Sequence, residues 1–96
     1  MGTQFFGTGR PATVQKVAYT GTAGTISNSF AAGIQRIRVL VTTDAYVAIG
    51  YSPTATTNDM YMTGLVPEYF TVSQGQKVSA MQVASGGTLN VTEISG

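Results

Sequence analysis

The chain has 96 residues, 43% of them hydrophobic and only 9% charged, with no cysteine, histidine or tryptophan and a net charge of +1. That length closes one hydrophobic core, burying roughly 60–65% of the unfolded surface. The composition excludes a disulfide scaffold, thiolate or imidazole metal sites and histidine-based acid–base chemistry; the scattered, nearly balanced charge provides no field to draw in nucleic acid or an anionic membrane.

Residues 1–13, MGTQFFGTGRPAT, carry Gly2, Gly7, Gly9 and Pro11 and follow neither helical nor strand periodicity. They read as an extended N-terminal arm preceding a single domain over 14–96. Two adjacent aromatics in such a segment expose a large apolar area unless they dock. Phe5 and Phe6, with Arg10 in the same arm, are therefore candidate partner contacts; packing back onto the chain's own core is the alternative.

From Val14 the pattern is strands and turns. Val14–Thr20 alternates and ends in the flexible stretch Gly21–Gly24. Thr25–Phe30 reads as a short strand with Ile26, Asn28 and Phe30 on one face. Ile34–Thr42 places Gln35, Ile37, Val39 and Val41 towards the core and Ile34, Arg36, Arg38 and Leu40 outward. Ala45–Gly50 points Ala45, Val47 and Ile49 inward, and Asp44 before it suits a hairpin turn. Tyr51–Asp59, YSPTATTND, is expected to be an exposed loop. Met60–Thr63 is a short strand and Gly64–Pro67 a turn. Tyr69–Ser73 alternates again up to Gln74–Gly75–Gln76, where the glycine is available for positive φ. Lys77–Val83 and Thr88–Ile94 are expected to pair as a hairpin across Ala84–Gly87. About eight short antiparallel strands and no helical segment predict an all-β protein, a single small β-sandwich or jelly roll.

Little chemistry is available to this chain. Without histidine a serine triad is impossible, and a hydrolytic carboxylate pair would have to come from Asp44, Asp59, Glu68 and Glu93. Three of these sit beside turns, where acidic residues serve local hydrogen bonding. The glycine stretches Gly7–Gly9 and Gly21–Gly24 lack the following Lys-Ser/Thr and helix of a phosphate loop. No catalytic, cofactor or metal residue is expected, and the chain reads as a non-enzyme.

Binding residues are easier to nominate. Arg36 and Arg38, two apart on one strand, point to the same face and can hold a partner carboxylate bidentately; a solvated face with Glu68 or Glu93 as intramolecular partners is the plainer reading. Tyr46, Tyr51, Tyr61 and Tyr69 are candidate surface aromatics, and Tyr51 and Tyr61 are placed among the partner contacts.

The stretches VQKVAYTGTAGTISNSF, RVLVTTDAYVAIGYSPTATTNDMYM and PEYFTVSQGQKVSAMQVASGGTLNVTEI, with their phrases AYVAIG, GQKVSA and GGTLNVTE, resemble small structural proteins of tailed bacteriophages. The resemblance spans Val14–Ile94, leaves out the arm, and carries no catalytic motif. It implies a virion protein on the outer capsid surface, assembled in the host cytoplasm. Such a decoration or cement protein binds the major capsid protein as a dimer or trimer. The competing expectation is a host-recognition module of a head fibre or tail appendage, which would bind a glycan through the YSPTATTND loop with Tyr51 or Tyr61.

Overall fold

The structure, a computed structural model, describes residues 10–95, with side chains described over 13–94. Eight strands and no helix occur among the described residues: β1 (Arg10–Tyr19), β2 (Gly24–Thr25), β3 (Arg36–Val41), β4 (Ala45–Gly50), β5 (Met60–Met62), β6 (Glu68–Thr71), β7 (Lys77–Gln82) and β8 (Gly87–Ser95). They form two four-stranded antiparallel sheets, ordered β1-β8-β3-β6 and β2-β7-β4-β5. The sheets pack face to face as a β-sandwich, as expected.

Period-two alternation determines the faces. On β3, Ile37, Val39 and Val41 are fully buried while Arg36, Arg38 and Leu40 are half-buried on the outer side. The strand starts only at Arg36, so the alternation does not extend to the two residues before it; Gln35 is exposed and Ile34 buried, the reverse of expectation. Their partners on β8 in the same inward rows are Glu93, Val91 and Leu89. The second sheet contributes Ala45 and Val47 from β4, Val78 and Ala80 from β7 and Met62 from β5. Tyr19, Ile26 and Phe30 close the core at its margins.

Only β4 and β5 are consecutive strands of the same sheet; every other connection crosses from one sheet to the other. This corrects two expectations. Thr42–Asp44 and Val83–Gly86 are arches between sheets, and β7 and β8 do not pair. Alternation along a strand records which side chains face inward, and it is the same whether the next strand pairs beside it or stacks across the core.

Both arches, together with the end of β1, are tied at one point. The buried Tyr19 hydroxyl donates to the Thr43 carbonyl (2.8 Å) and accepts the Thr43 N–H (3.1 Å). Thr43 Oγ1 lies 2.9 Å from that hydroxyl and donates to the Ser85 carbonyl (3.0 Å). Thr42 Oγ1 accepts the Thr88 N–H at 2.8 Å. Gly87 sits in the middle: a Cβ there would come within 2.7 Å of Tyr19 Oη and within 2.6 Å of both threonine hydroxyls.

Three other segments depart from expectation. β1 begins at Arg10, inside the stretch read as arm; Arg10 and Pro11 pair with Ser95 and Ile94, and the register shifts before Val14. Strand β2 ends at Thr25: Ile26 and Phe30 remain buried, but Asn28 turns to β1, its N–H and C=O bonded reciprocally to the Gln15 side chain (3.0 and 2.9 Å). The segment from Gly24 to Phe30 thus straps the sandwich along its β1 side. The 51–59 loop is not wholly exposed either. Ala55 is buried on the outer face of the second sheet, where its N–H donates to Ser79 Oγ at 3.0 Å.

Replacing Tyr19 by Phe keeps the ring in the core and leaves the Thr43 N–H without its acceptor. The expected cost is about 1–3 kcal/mol, read as a lower urea midpoint at unchanged m-value; an unchanged midpoint would remove the hydroxyl from the account of how the arches are held.

Candidate functional site

The two flanks of the sandwich differ. On one, the Gly24–Phe30 strap closes the gap beside β1, approaching so closely that a Cβ on Gly24 would lie 2.2 Å from the Ala18 carbonyl oxygen. On the other, edge strands β5 and β6 lie next to each other and the chain crosses between them through Gly64–Pro67. Met60, Tyr61, Leu65, Val66 and Tyr69 are all exposed on these strands or their crossing, Leu65 at 70%; by register Tyr61 stands with Tyr46 on the outer face of the second sheet and Tyr69 with Arg38 on the outer face of the first. They include five of the eight large exposed hydrophobic side chains among the described residues.

Backbone interactions hold this crossing and leave its side chains pointing out. Gly64 lies against the β3–β4 arch, where a Cβ would come within 2.9 Å of the Thr43 backbone. Its N–H donates to Asp44 Oδ1 (2.8 Å), and the next N–H, that of Leu65, donates to the Val41 carbonyl (2.7 Å). Leu65 consequently adopts φ 63°, a left-handed conformation that costs a branched residue roughly 1–2 kcal/mol. Asn or Gly would relieve that strain, and a leucine held there in solvent gains nothing from its own core.

Asp44 organises the neighbouring aromatics. The Tyr61 hydroxyl donates to Asp44 Oδ2 at 2.5 Å, and the Tyr61 ring stands edge-on to Tyr46, with centroids 5.9 Å apart. The hydrogen bond from Tyr61, followed by that from Gly64 N–H, holds the Asp44 carboxyl below its ordinary value of 3.8. The same bond to Asp44 holds the Tyr61 hydroxyl above its ordinary 10.0.

The other nominated residues are dispersed. Arg36 and Arg38 lie on the outer face of the first sheet, in cross-strand rows with Ile94 and Thr71 and with Thr92 and Tyr69 respectively. Glu68 and Glu93 pair with Val39 and Ile37 and so belong to the inward rows. Neither carboxylate shares the arginines' face, which corrects their pairing with these residues. Glu93 is instead buried, accepting the Ala31 N–H at 3.3 Å. Tyr51 follows β4 and covers Gly75, the turn glycine with φ 90°. Tyr61 pairs with Tyr46 near the other end of β4. Tyr51 and Tyr61 are therefore separated by five residues of extended chain, roughly 16 Å, too far for one sugar ring to contact both. Phe5 and Phe6 lie outside the described residues, as does the side chain of Arg10.

Asp59 is taken up locally, Oδ2 accepting the Thr56 N–H (2.7 Å) and hydroxyl (3.2 Å). No group of three or more acidic, histidine or cysteine residues suited to a metal ion occurs among the described residues. A groove of about 380 Å³ opens between Gly33–Gln35 and Thr71–Gln74, at the far end of β6 from the Leu65 crossing. No charged side chain lines it.

Set against known protein families, curated proteins and solved structures, the chain matches none. Of the candidate surface aromatics, Tyr61 and Tyr69 lie on the edge strands β5 and β6. Leu65 and Val66 were hidden in a Gly–Pro turn, and two consecutive large apolar residues where turn chemistry favours polar ones are the sequence signal for them.

The pH dependence of the Asp44–Tyr61 pair has a fixed sign. The contribution of Asp44 is present above 3.8 and is lost as pH falls through its lowered value; that of Tyr61 is present below 10.0 and is lost as pH rises through its raised value. In Tyr61→Phe, the Asp44 carboxyl followed by NMR should titrate closer to 3.8 than in the parent. An unmoved midpoint would assign the depression to the Gly64 N–H alone.

Proposed function

We propose that this protein is a structural component of a tailed-bacteriophage virion, a decoration or cement protein on the outer capsid surface that bridges subunits of the major capsid protein. The unfinished flank carries this reading. One side of the sandwich is strapped shut, and the other offers two strand edges and a strained, solvent-facing Leu65. A domain with such a flank is suited to being completed by another chain. The likeness of Val14–Ile94 to small phage structural proteins directs the reading to the virion, and the strand orders β1-β8-β3-β6 and β2-β7-β4-β5 support a jelly-roll winding.

A module that binds the assembled shell but not separated subunits stabilises the shell by an amount that grows with the logarithm of its free concentration relative to Kd. Low charge suits this task. Contact through area, backbone hydrogen bonds and shape loses little with salt, whereas contact through ion pairs is screened. The outward Arg36 and Arg38 supply orientation, because a guanidinium fork donates two parallel hydrogen bonds to a carboxylate in one plane. The arm, with Phe5 and Phe6, supplies an apolar anchor.

Two measurements check the proposal. In purified particles the protein should approach the copy number of the major capsid protein, and a scarce component present in a few copies would overturn the assignment. Removing residues 1–9 leaves all of β1 in place; this truncation should keep its unfolding midpoint and lose occupancy on particles, while undiminished occupancy would remove the arm from the interface.

A further inference from the structure

We infer that this protein forms a two-fold dimer in which β6 pairs antiparallel with β6 of a second copy, centred on Phe70. The inference goes beyond the capsid reading and does not depend on it, because it follows from which backbone groups the β6 edge leaves open.

In an antiparallel ladder, successive residues point their N–H and C=O groups alternately to the two neighbouring strands. The Val72 N–H donates to the Gln35 carbonyl, and the register Arg36–Thr71 and Arg38–Tyr69 continues from that pair. Phe70 and Glu68 therefore turn their backbone groups to β3, and those of Tyr69 and Thr71 face away, along an edge that no other described strand pairs with. A second β6 related by a two-fold axis at Phe70 sets Tyr69 opposite the second copy's Thr71, and Thr71 opposite its Tyr69. All four N–H groups and all four C=O groups find partners. Centring on Tyr69 instead would set Thr71 against Pro67, which has no N–H to give. The Phe70 register is thereby selected.

That register is also self-complementary in shape and charge. It brings the Leu65–Val66 turn of each copy to the level of residues 74–75 of the other, beside the uncharged groove between Gly33–Gln35 and Thr71–Gln74. The exposed knob of one copy meets the open groove of its mate, twice, as an isologous interface requires. Glu68 of each copy falls opposite Val72 of the other, leaving the two carboxylates roughly 14 Å apart along the strands, beyond the reach of strong repulsion. Leu65 and Val66, exposed at 70% and 47%, are the apolar side chains that this register brings against the mate.

Because the chain has no cysteine, single cysteines report the register without background. The purified protein should sediment at twice its 10.0 kDa chain mass at micromolar concentration. The double substitution Tyr69→Lys and Thr71→Lys, both at exposed positions, should give a folded monomer by sedimentation and far-ultraviolet circular dichroism. Under mild oxidation, a mixture of Tyr69→Cys and Thr71→Cys proteins should cross-link. Their Cα atoms would be about 5.5 Å apart across the pair. Either variant alone should stay reduced, its own copies being about 8 Å apart, outside disulfide reach. A monomeric parent, a trimer, a dimer indifferent to the lysines, or cross-linking by one cysteine variant alone would each overturn the inference. A capsid-binding defect with the dimer intact would bear on the virion reading and leave this one standing.

Discussion

The Tyr19 hydroxyl is the contact on which the rest of the sandwich depends. Strands that alternate between two sheets need arches at their ends, and an arch exposes backbone groups that neither sheet can satisfy. Here one phenol accepts the N–H and donates to the C=O of Thr43, while the threonine hydroxyl passes a further bond to the Ser85 carbonyl. β1, the β3–β4 arch and the β7–β8 arch are thereby fixed to one another at the end of a core made largely of valine, isoleucine and alanine. Gly87 is required because the space that its side chain would occupy is filled by the three hydroxyls.

The same arch fixes the apolar flank. Thr43 stands between Tyr19 on its inner side and Gly64 on its outer side, and Asp44, the next residue, accepts from both Gly64 and Tyr61. The position of the Leu65 crossing is therefore set by the core through two or three backbone contacts. Its exposed side chains have no part in holding it. The crossing can present Leu65 and Val66 outward, in a conformation unfavourable for leucine, without loosening the sandwich behind it. This separation of support from display is what a preorganised interface needs.

Sequence reading recovered the faces far better than the partners. The alternation of β3 and β4 identified their inward rows, since burying Val39 or Val47 leaves the residues on either side no choice of face. A short polar connection between alternating strands looks the same in a hairpin and in an arch, so the sequence alone predicts hairpins at both arches. Ile26, Asn28 and Phe30 mimic one face of a strand, yet the chain leaves the ladder after Thr25 and only the two apolar residues turn inward. On the β5–β6 side Tyr61 is legible as a surface aromatic. Leu65 was not, because its exposure depends on a glycine fitting against Thr43 from another part of the chain.

Low charge ties these observations together. Sheet edges attract other strands, and monomeric proteins blunt them with lysines, prolines, bulges or a covering segment. The β1 flank uses most of these: Lys16 on the strand, a register shift after Pro11, and the Gly24–Phe30 strap bound through Gln15. The β5–β6 flank has only short strands and Pro67, and Glu68 is the single charged residue between Met60 and Thr71. Within one small domain the same hazard is thus managed on one side and left open on the other. General tolerance of exposed edges would leave both flanks bare, and a demand for solubility alone would guard both. An asymmetric defence is the expected outcome when one flank faces solvent and the other faces a second chain.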